Sequence, residues 1–139
     1  MNNEAVLKNF MQKVWNEKEF DCISEFVNPE YTILLDNADP WEGKVLNHTE
    51  FKKRLHYSFD AFPDMHFAIQ QLVADGNYVA ITWIMTGTNL GSIGDIPATR
   101  KSIKTFGSTI YHFQNGKLSG HSQVFDRTTV MKQLGFLPG

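Results

Sequence analysis

The first thirty residues have the hydrophobic periodicity of amphipathic helices. Apolar residues recur three and four positions apart, which places them on one stripe of a first helix; they are Val6, Leu7, Phe10, Met11, Val14 and Trp15. A second, shorter apolar set predicts a second helix with Phe20, Ile23, Phe26 and Val27 on its inner side. Asn28-Pro29 ends that helix, because proline disfavours the helical conformation in the residue before it. The segment YTILL, residues 31–35, then predicts a strand.

A third helix is predicted after a segment rich in turn formers, residues 36–44. It begins at Asn47-His48-Thr49-Glu50, which has the form of an N-cap with a carboxylate three residues later. Its apolar positions are Phe51, Leu55, Phe59 and Phe62, and Pro63 follows them. These three helices precede most of the predicted strands.

Beyond Pro63 the pattern changes to that of long strands. The predicted strands are 65–74, 78–88, 102–113 and 117–125, and a Gly/Pro-containing loop, 89–101, separates the two pairs. A short final helix is predicted from Arg127 to Leu134, with Gly135 as its terminating residue. Helices followed by an antiparallel meander predict one α+β domain over residues 1–139, in which helices cover one face of a curved sheet.

The strand over residues 78–88 is apolar on both faces. One face carries Val79, Ile81, Trp83 and Met85, and the other carries Tyr78, Ala80 and Ile84. A sheet of this kind has no face suited to water alone. We therefore expect the face away from the helices to line a pocket or to form an oligomer interface, or both.

Composition narrows the class of partner. The 139 residues include 13 basic and 15 acidic ones without a like-charge run, so neither nucleic acid nor an anionic membrane is expected as a partner. A lone cysteine, Cys22, excludes an internal disulfide framework and a thiolate metal cluster. The sequence shows neither a signal peptide nor the roughly 20 apolar residues of a spanning helix, which predicts a cytoplasmic protein that takes small, fairly neutral ligands.

Several segments together resemble the SnoaL-like polyketide cyclases of the nuclear transport factor 2-like superfamily. They are AFPDMHF (61–67), VAITWIMTGTNLG (79–91), DIPATRKSI (95–103), IYHFQNGKL (110–118) and FDRTTVMKQLG (125–135). The resemblance spans nearly the whole chain in the right order. It implies a cone-shaped α+β barrel, made of a curved and mostly antiparallel sheet around the N-terminal helices, with an interior pocket and a homodimeric assembly.

The resemblance also implies a reaction, an intramolecular aldol ring closure in the pocket without metal or cofactor. An aspartate at the end of the last strand is the acid/base in such cyclases, and a histidine on the preceding strand assists it; by position these are Asp126 and His112. Two departures stand out. Asn89 replaces a histidine that often follows Gly-Thr, and Gly120-His121-Ser122 stands where Glu-His-Trp or Glu-x-Trp is frequent.

The chemistry of ring closure suits these residue types. A carboxylate in an apolar pocket has a raised pKa and is a stronger base, which favours Asp126. A histidine or amide can donate to the developing oxyanion, and His112, His121 and Asn89 are available for that. Aromatic residues that could stack on an aromatic ligand complete the predicted pocket; they are Trp83, Phe106, Tyr31 and Trp41.

The turn between the last two strands decides which residues share a face. A two-residue Asn115-Gly116 loop pairs Ile110 with His121 and places Asp126 on the face opposite both histidines. A three-residue loop that includes Gln114, or a compensating bulge, places His112 on the face of Asp126. The local sequence favours neither, and the family resemblance favours the three-residue loop.

Each candidate also has a structural interpretation. Asp126 stands just before the final helix and suits an N-cap, and His112 suits a hydrogen-bonded histidine between strands. A metal site built from both histidines and an acid is possible, but no motif spacing favours it. The sequence thus predicts a cofactor-free cyclase or isomerase with Asp126 as base and His112 as helper, acting on a small carbonyl-rich hydrophobic ligand. The alternative is a non-catalytic ligand-binding or dimeric interaction module on the same fold.

Overall fold

The computed structural model describes residues 2–138, so the two ends of the predicted domain, residues 1 and 139, lie outside it. The helical segments are α1 (Asn3–Phe10), which continues as a π-helix (Met11–Asn16), a 3₁₀ turn (Phe20–Cys22), α2 (Ile23–Phe26), α3 (His48–Ala61) and α4 (Arg127–Gln133). The predicted N-cap of α3 is confirmed: the Asn47 side chain accepts from the backbone N–H of Glu50, and the Glu50 carboxylate accepts from that of Asn47. Among the residues described, no helix is long and apolar enough to cross a membrane.

The strands form one mixed sheet. They are β1 (Val27–Asp36), β2 (Val45–Leu46), β3 (His66–Asp75), β4 (Tyr78–Thr88), β5 (Ser102–Gln114) and β6 (Lys117–Phe125). In the described residues their order is β2-β1-β6-β5-β4-β3, with β1 and β6 parallel and the other neighbours antiparallel. The α+β class and the mostly antiparallel sheet are confirmed, and the sheet remains open, with β2 and β3 as its edges.

The boundary between the second helix and β1 differs from the sequence-based prediction, and β1 begins before the predicted strand of residues 31–35. The second helix ends at Phe26, and Val27 already has the extended conformation of β1, at φ −114° and ψ 132°. Val27 pairs with Leu118 of β6 and is fully buried. A β-branched side chain suits this paired position better than the end of a short helix.

The two faces of the sheet differ sharply in exposure. On the inner face, Val79, Ile81, Trp83 and Met85 of β4 are buried in the core. Tyr78 of the same strand points to the outer face and is 54% exposed. The predicted alternation along β4 is therefore observed, with the helices on the inner side.

The β5–β6 turn corrects the expected three-residue loop. Gln114 pairs with Lys117, so the loop is Asn115-Gly116 alone. Its two residues have φ of 54° and 79°, as a type I′ turn requires, and Asn and Gly tolerate such values with little strain.

A β-bulge follows the turn. Phe113 pairs with Leu118, but the next pair is His112 with Gly120, so Ser119 is an extra residue on β6. Beyond the bulge Tyr111 pairs with His121, and both are buried on the inner face. In a two-residue hairpin without the bulge, His121 would point to the outer face. The bulge places it on the inner face instead.

A second register shift lies where β1 runs beside β6. Ile33 pairs with His121, yet the next pairs are Leu35 with Ser122 and then Asp36 with Gln123. Leu34 is the extra residue here. Side chains alternate along a strand, so without this shift Asp36 would point to the outer face. With the shift it points to the inner face.

Candidate functional site

A cavity of about 500 Å³ lies between the inner face of the sheet and the helices. Most of its wall is aromatic or apolar and includes Met11, Trp15, Phe62, Phe67, Trp83 and Phe125. Some polar side chains interrupt that wall; they include Tyr31, Asp39, Arg54, Tyr111, His121, Gln123 and Arg127. A largely apolar cavity of this size with few polar groups is typical of a small-molecule site.

The polar end of the cavity contains a hydrogen-bonded chain of three side chains. His121 Nε2 lies 2.9 Å from Asp36 Oδ2, and the Tyr31 hydroxyl lies 2.7 Å from His121 Nδ1. All three are nearly inaccessible to solvent, with 1% exposure for Tyr31 and Asp36 and 3% for His121. Tyr31 and His121 line the cavity, and Asp36 stands behind them.

Of these three side chains, Asp36 makes the most hydrogen bonds. Besides His121, the described donors to its carboxylate are Arg54 Nη2 at 2.9 Å, Gln123 Nε2 at 3.2 Å and Arg127 Nη2 at 3.2 Å. Burial is the largest influence on the pKa of Asp36 and acts to raise it. The hydrogen bond from His121 and the charges of Arg54 and Arg127 together outweigh burial, so the pKa of Asp36 is lowered and the group is ionised.

The electrostatics of His121 fix its tautomer. Burial lowers the pKa of His121, and the hydrogen bond to Asp36 opposes this effect only in part. The imidazole is therefore neutral near pH 7 and carries its hydrogen on Nε2, which donates to the ionised Asp36. Its Nδ1 lone pair then accepts from the hydroxyl of Tyr31, whose pKa burial raises well above the usual range.

Arg54 hydrogen-bonds both to Asp36 and to Asp39, which lies in the turn-rich segment before α3. Its guanidinium donates to Asp39 at 3.2 and 3.0 Å as well as to Asp36. Asp39 and its neighbour Pro40 line the cavity. Arg54 is buried and its pKa is raised: burial is the largest influence and opposes the charge, but Asp39 and Asp36 more than compensate. The turn-rich segment therefore forms part of the cavity wall.

Other inner-face polar groups continue the network along β4, β5 and β6. Trp83 Nε1 donates to Thr109 Oγ1 at 2.9 Å, and that hydroxyl donates to Gln123 Oε1 at 2.8 Å. The Tyr111 hydroxyl donates to the sulfur of Met11 at 3.7 Å. Within residues 2–138 no buried side-chain nitrogen or oxygen lacks a hydrogen-bond partner.

Asp126 and His112, the catalytic pair implied by the resemblance, do not line this cavity. Asp126 caps α4: its carboxylate accepts from the backbone N–H of Thr129 at 2.9 Å and from the Thr129 hydroxyl, and these bonds lower its pKa. His112 lies on the outer face with its ring centroid 4.9 Å from that of Tyr78. The capping interpretation of Asp126 is observed. The catalytic roles of Asp126 and His112 stay a prediction.

The other predicted pocket residues divide into two groups. Tyr31, Trp83 and His121 line the cavity, while Phe106, Trp41 and Asn89 do not. Phe106 is 65% exposed on the outer face, because it alternates with the inward Thr105 and Gly107 on β5. Trp41 packs edge-on against Tyr57, a residue of the cavity wall.

Asn89 organises a loop instead of contacting the cavity. Its amide donates to the carbonyls of Ala61 and Gly91, and its side-chain oxygen accepts from the backbone and hydroxyl of Thr99. These bonds close the 89–101 loop, in which Ile93 reaches the cavity wall.

Sequence reasoning missed Asp36, Arg54, Tyr111 and Gln123. The one available signal was an aspartate at the end of the first strand, directly before the turn-rich segment. Strict alternation from the buried Tyr31 and Ile33 would have put Asp36 on the outer face. Only the register shift at Leu34 places it inside. No cluster of three or more His, Cys, Asp or Glu side chains suited to a metal ion occurs among the residues that the structure describes.

Comparison with known proteins gives the family. A model of SnoaL-like polyketide cyclases matches residues 5–134. A candidate polyketide cyclase from Acidithiobacillus ferrooxidans is 40% identical with a TM-score of 0.88, and the match covers 95% of this chain and 93% of that one. No curated protein matches the chain.

More distant solved structures share the fold. AclR, a candidate hydroxylase from Streptomyces galilaeus, is 20% identical with a TM-score of 0.81, and the match covers 99% of this chain and 83% of that one. IdmH, a candidate polyketide cyclase from Streptomyces antibioticus, is 19% identical with a TM-score of 0.81 over 97% of this chain and 99% of that one. The match over residues 5–134 and the 40% identity decide the matter: the chain belongs to the family of SnoaL-like polyketide cyclases.

Proposed function

We propose that the protein binds a small, hydrophobic, carbonyl-bearing ligand in the inner cavity and catalyses a proton transfer that leads to aldol-type ring closure or a related isomerisation. The observation that carries this proposal is the chain Tyr31–His121–Asp36, which meets an otherwise apolar cavity of about 500 Å³. Side chains alone supply the acid and the base, so the proposed reaction needs neither metal nor cofactor.

The proton path follows from the tautomer of His121. A carbon between or beside carbonyl groups loses its proton to the Tyr31 oxygen, while the Tyr31 hydroxyl proton passes to Nδ1 of His121. The imidazolium formed in this way is stabilised by the ionised Asp36 at 2.9 Å. When the new carbon–carbon bond has formed, the same path runs in reverse and returns the proton to the alkoxide oxygen. All three side chains end in their starting state.

The apolar wall strengthens this chemistry. Water competes poorly in a cavity lined by Trp15, Phe67 and Trp83, so the interaction between Asp36 and the imidazolium is less screened than in solvent. The raised pKa of Tyr31 keeps its hydroxyl protonated between turnovers. A positioned acid or base of this kind contributes about 10²- to 10⁴-fold to the rate.

The test is exchange of the methyl protons of 2-acetylnaphthalene with deuterium in D₂O, followed by proton NMR. We expect exchange catalysed by the wild type and a loss of about 10²-fold or more in Tyr31→Phe and His121→Asn. The matched control is Asp126→Asn, which removes the carboxylate predicted from the resemblance and is expected to retain exchange. Loss of exchange in Asp126→Asn alone would return the catalytic role to Asp126.

A second candidate function, ligand binding without catalysis, has one observation in its favour. The buried polar side chains described here are already paired with one another, as in a network that only holds the fold together. Binding of 2-acetylnaphthalene with no exchange above the uncatalysed rate in the wild type would favour this second function. Exchange that depends on Tyr31 would exclude it.

We further propose that the outer face of the sheet pairs with a second copy of the chain. Large apolar side chains are exposed there, namely Leu35, Tyr78, Phe106, Ile110 and Val124. Several large exposed apolar side chains on one face of a sheet are typical of an interface. We expect Phe106→Glu to convert a dimer to a monomer in analytical ultracentrifugation, while Phe106→Leu retains the dimer. A monomeric wild type would contradict the proposal.

A further inference from the structure

We infer that Tyr111 is a ligand-binding and oxyanion-stabilising residue, whose hydroxyl leaves the sulfur of Met11 and donates to the carbonyl oxygen of the bound ligand. This inference rests on the proposed function, since it names the group that holds the oxygen while the Tyr31–His121–Asp36 chain moves the proton.

The first argument is the quality of the acceptor that Tyr111 has in the structure. Its hydroxyl donates to Met11 Sδ at 3.7 Å, and a thioether is a weak acceptor. The Tyr31 hydroxyl nearby has a nitrogen acceptor at 2.7 Å, and Trp83 Nε1 has an oxygen acceptor at 2.9 Å. Of these three donors, Tyr111 therefore gains most when a carbonyl oxygen arrives.

The second argument is position. Tyr111 lines the cavity and is 6% exposed, so a ligand meets its hydroxyl without competition from bulk water. Its ring centroid lies 6.0 Å from that of His121 and 6.2 Å from that of Phe10. A carbonyl held by Tyr111 thus lies beside the proton-transfer chain, which is the arrangement that removal of a proton next to a carbonyl requires.

The third argument concerns the mobility of the acceptor. Met11 is an unbranched side chain with a polarizable sulfur, and it lies at the start of the π-helical segment Met11–Asn16. Such a side chain can shift to admit a ligand oxygen at little cost. Burial raises the pKa of Tyr111, so the group remains a protonated donor throughout the neutral range.

The consequence for the reaction is a division of roles. Loss of a proton from the carbon next to the carbonyl leaves an enolate with its charge on the oxygen, and the Tyr111 hydrogen bond strengthens as that charge develops. No proton needs to leave Tyr111. The residue acts as a donor alone, and the bonds that break and form are those of the proton path already described.

The experiment compares two probes of equal shape. 2-Acetylnaphthalene has a carbonyl, and 2-isopropenylnaphthalene has a CH₂ group in place of its oxygen. We expect Tyr111→Phe to weaken binding of the ketone by about three- to tenfold, the value of one neutral hydrogen bond, and to leave binding of the alkene unchanged. Dissociation constants are measured by quenching of tryptophan fluorescence.

Infrared spectroscopy provides a readout that a purely structural role would not change. The carbonyl stretch of ¹³C-labelled ketone is expected at lower frequency when it is bound to the wild type than when it is bound to Tyr111→Phe. Met11→Leu removes the competing sulfur and is expected to retain the low-frequency band. Tyr78→Phe, a tyrosine on the outer face, is the matched control and is expected to behave as wild type.

The outcomes separate this inference from the proposed function. An equal loss of affinity for both probes, an unchanged carbonyl band in Tyr111→Phe, or no binding of the ketone to the wild type would overturn it. A carbonyl band that depends on Tyr111, in a protein that exchanges no methyl protons, would support the ligand-binding role of Tyr111 and refute both its oxyanion-stabilising role and the catalytic proposal.

Discussion

The two faces of β6 and its neighbours each present a carboxylate and an imidazole, and the two sets behave differently. On the inner face, Asp36 and His121 are 2.9 Å apart and nearly inaccessible to solvent. On the outer face, Asp126 caps a helix and His112 packs against Tyr78. The same residue types therefore form a coupled pair on one face and two separate structural contacts on the other.

The two carboxylates differ in burial and in the number of groups that donate hydrogen bonds to them. Asp36 is ionised in the interior because His121, Gln123 and two arginines donate to it, and an unpaired carboxylate at that depth would be costly. Asp126 is at the surface, and its pKa is lowered mainly by two hydrogen bonds from Thr129, with a smaller contribution from the charge of Lys132. A lowered pKa by itself does not identify a catalytic carboxylate; its partners and the cavity in front of it do so better.

The largest effect is expected for Asp36→Ala. The substitution leaves His121 buried without its carboxylate partner and leaves Arg54 with Asp39 alone, and breaking a buried ion pair costs about 3–5 kcal/mol. Urea unfolding followed by circular dichroism measures the loss. A change below about 1 kcal/mol would mean that the inner network contributes no more than a surface ion pair.

A smaller effect is expected for Asp126→Ala. The variant loses the side-chain cap of α4, a helix of seven residues at the end of the chain, and its melting temperature should fall by only a few degrees. Asp126→Asn, which still can cap, is expected to recover most of the difference. If Asp126→Ala instead destabilised the protein as much as Asp36→Ala, the contrast between the two faces would not hold.

The smallest effect is expected from His121, and it is seen only when the pH is lowered. Burial lowers the pKa of His121 from its ordinary value of 6.5, so the unfolded chain takes up a proton at a higher pH than the folded one. Between the two pKa values the unfolded state holds more protons, and stability therefore falls as the pH drops below about 6.5.

The groups that surround His121 contribute to this pH dependence in different ranges. Asp36 has a lowered pKa, so its stabilising effect is lost only in more acidic solution, below about 3.8. Tyr31 and Tyr111 have raised pKa values and stay neutral, and Arg54 stays charged. His121→Gln is expected to flatten the decline of melting temperature between pH 7 and 5, whereas His112→Gln is expected to leave it unchanged.

Much of the fold was predictable from the sequence because it depends on local patterns. The stripe that begins with Val6 and Leu7, the capping box at Asn47 and the alternation along β4 each require only neighbouring residues. The Asn115-Gly116 turn was one of two loops that the local sequence allowed, and the expected three-residue loop was wrong. The other features were sufficient for the α+β class. The interior pocket was implied by the family resemblance alone, and the pattern along β4 predicts a pocket or an interface on the face away from the helices, whereas the cavity lies on the helix side.

The site itself was decided by tertiary structure. His121 faces the cavity because Ser119 is bulged out of β6, and Asp36 faces it because Leu34 is the extra residue where β1 passes β6. A strand has a side-chain period of two, so each added residue reverses the face of everything that follows it. The shift at Leu34 depends on pairing between β1 and β6, which are some ninety residues apart in the chain, whereas the Ser119 bulge lies within the β5–β6 hairpin and brings Tyr111 and His121 to the same buried face. The sequence therefore determined which residues were available for chemistry, and only the packing of the strands in the folded sheet decided which of them meet inside the cavity.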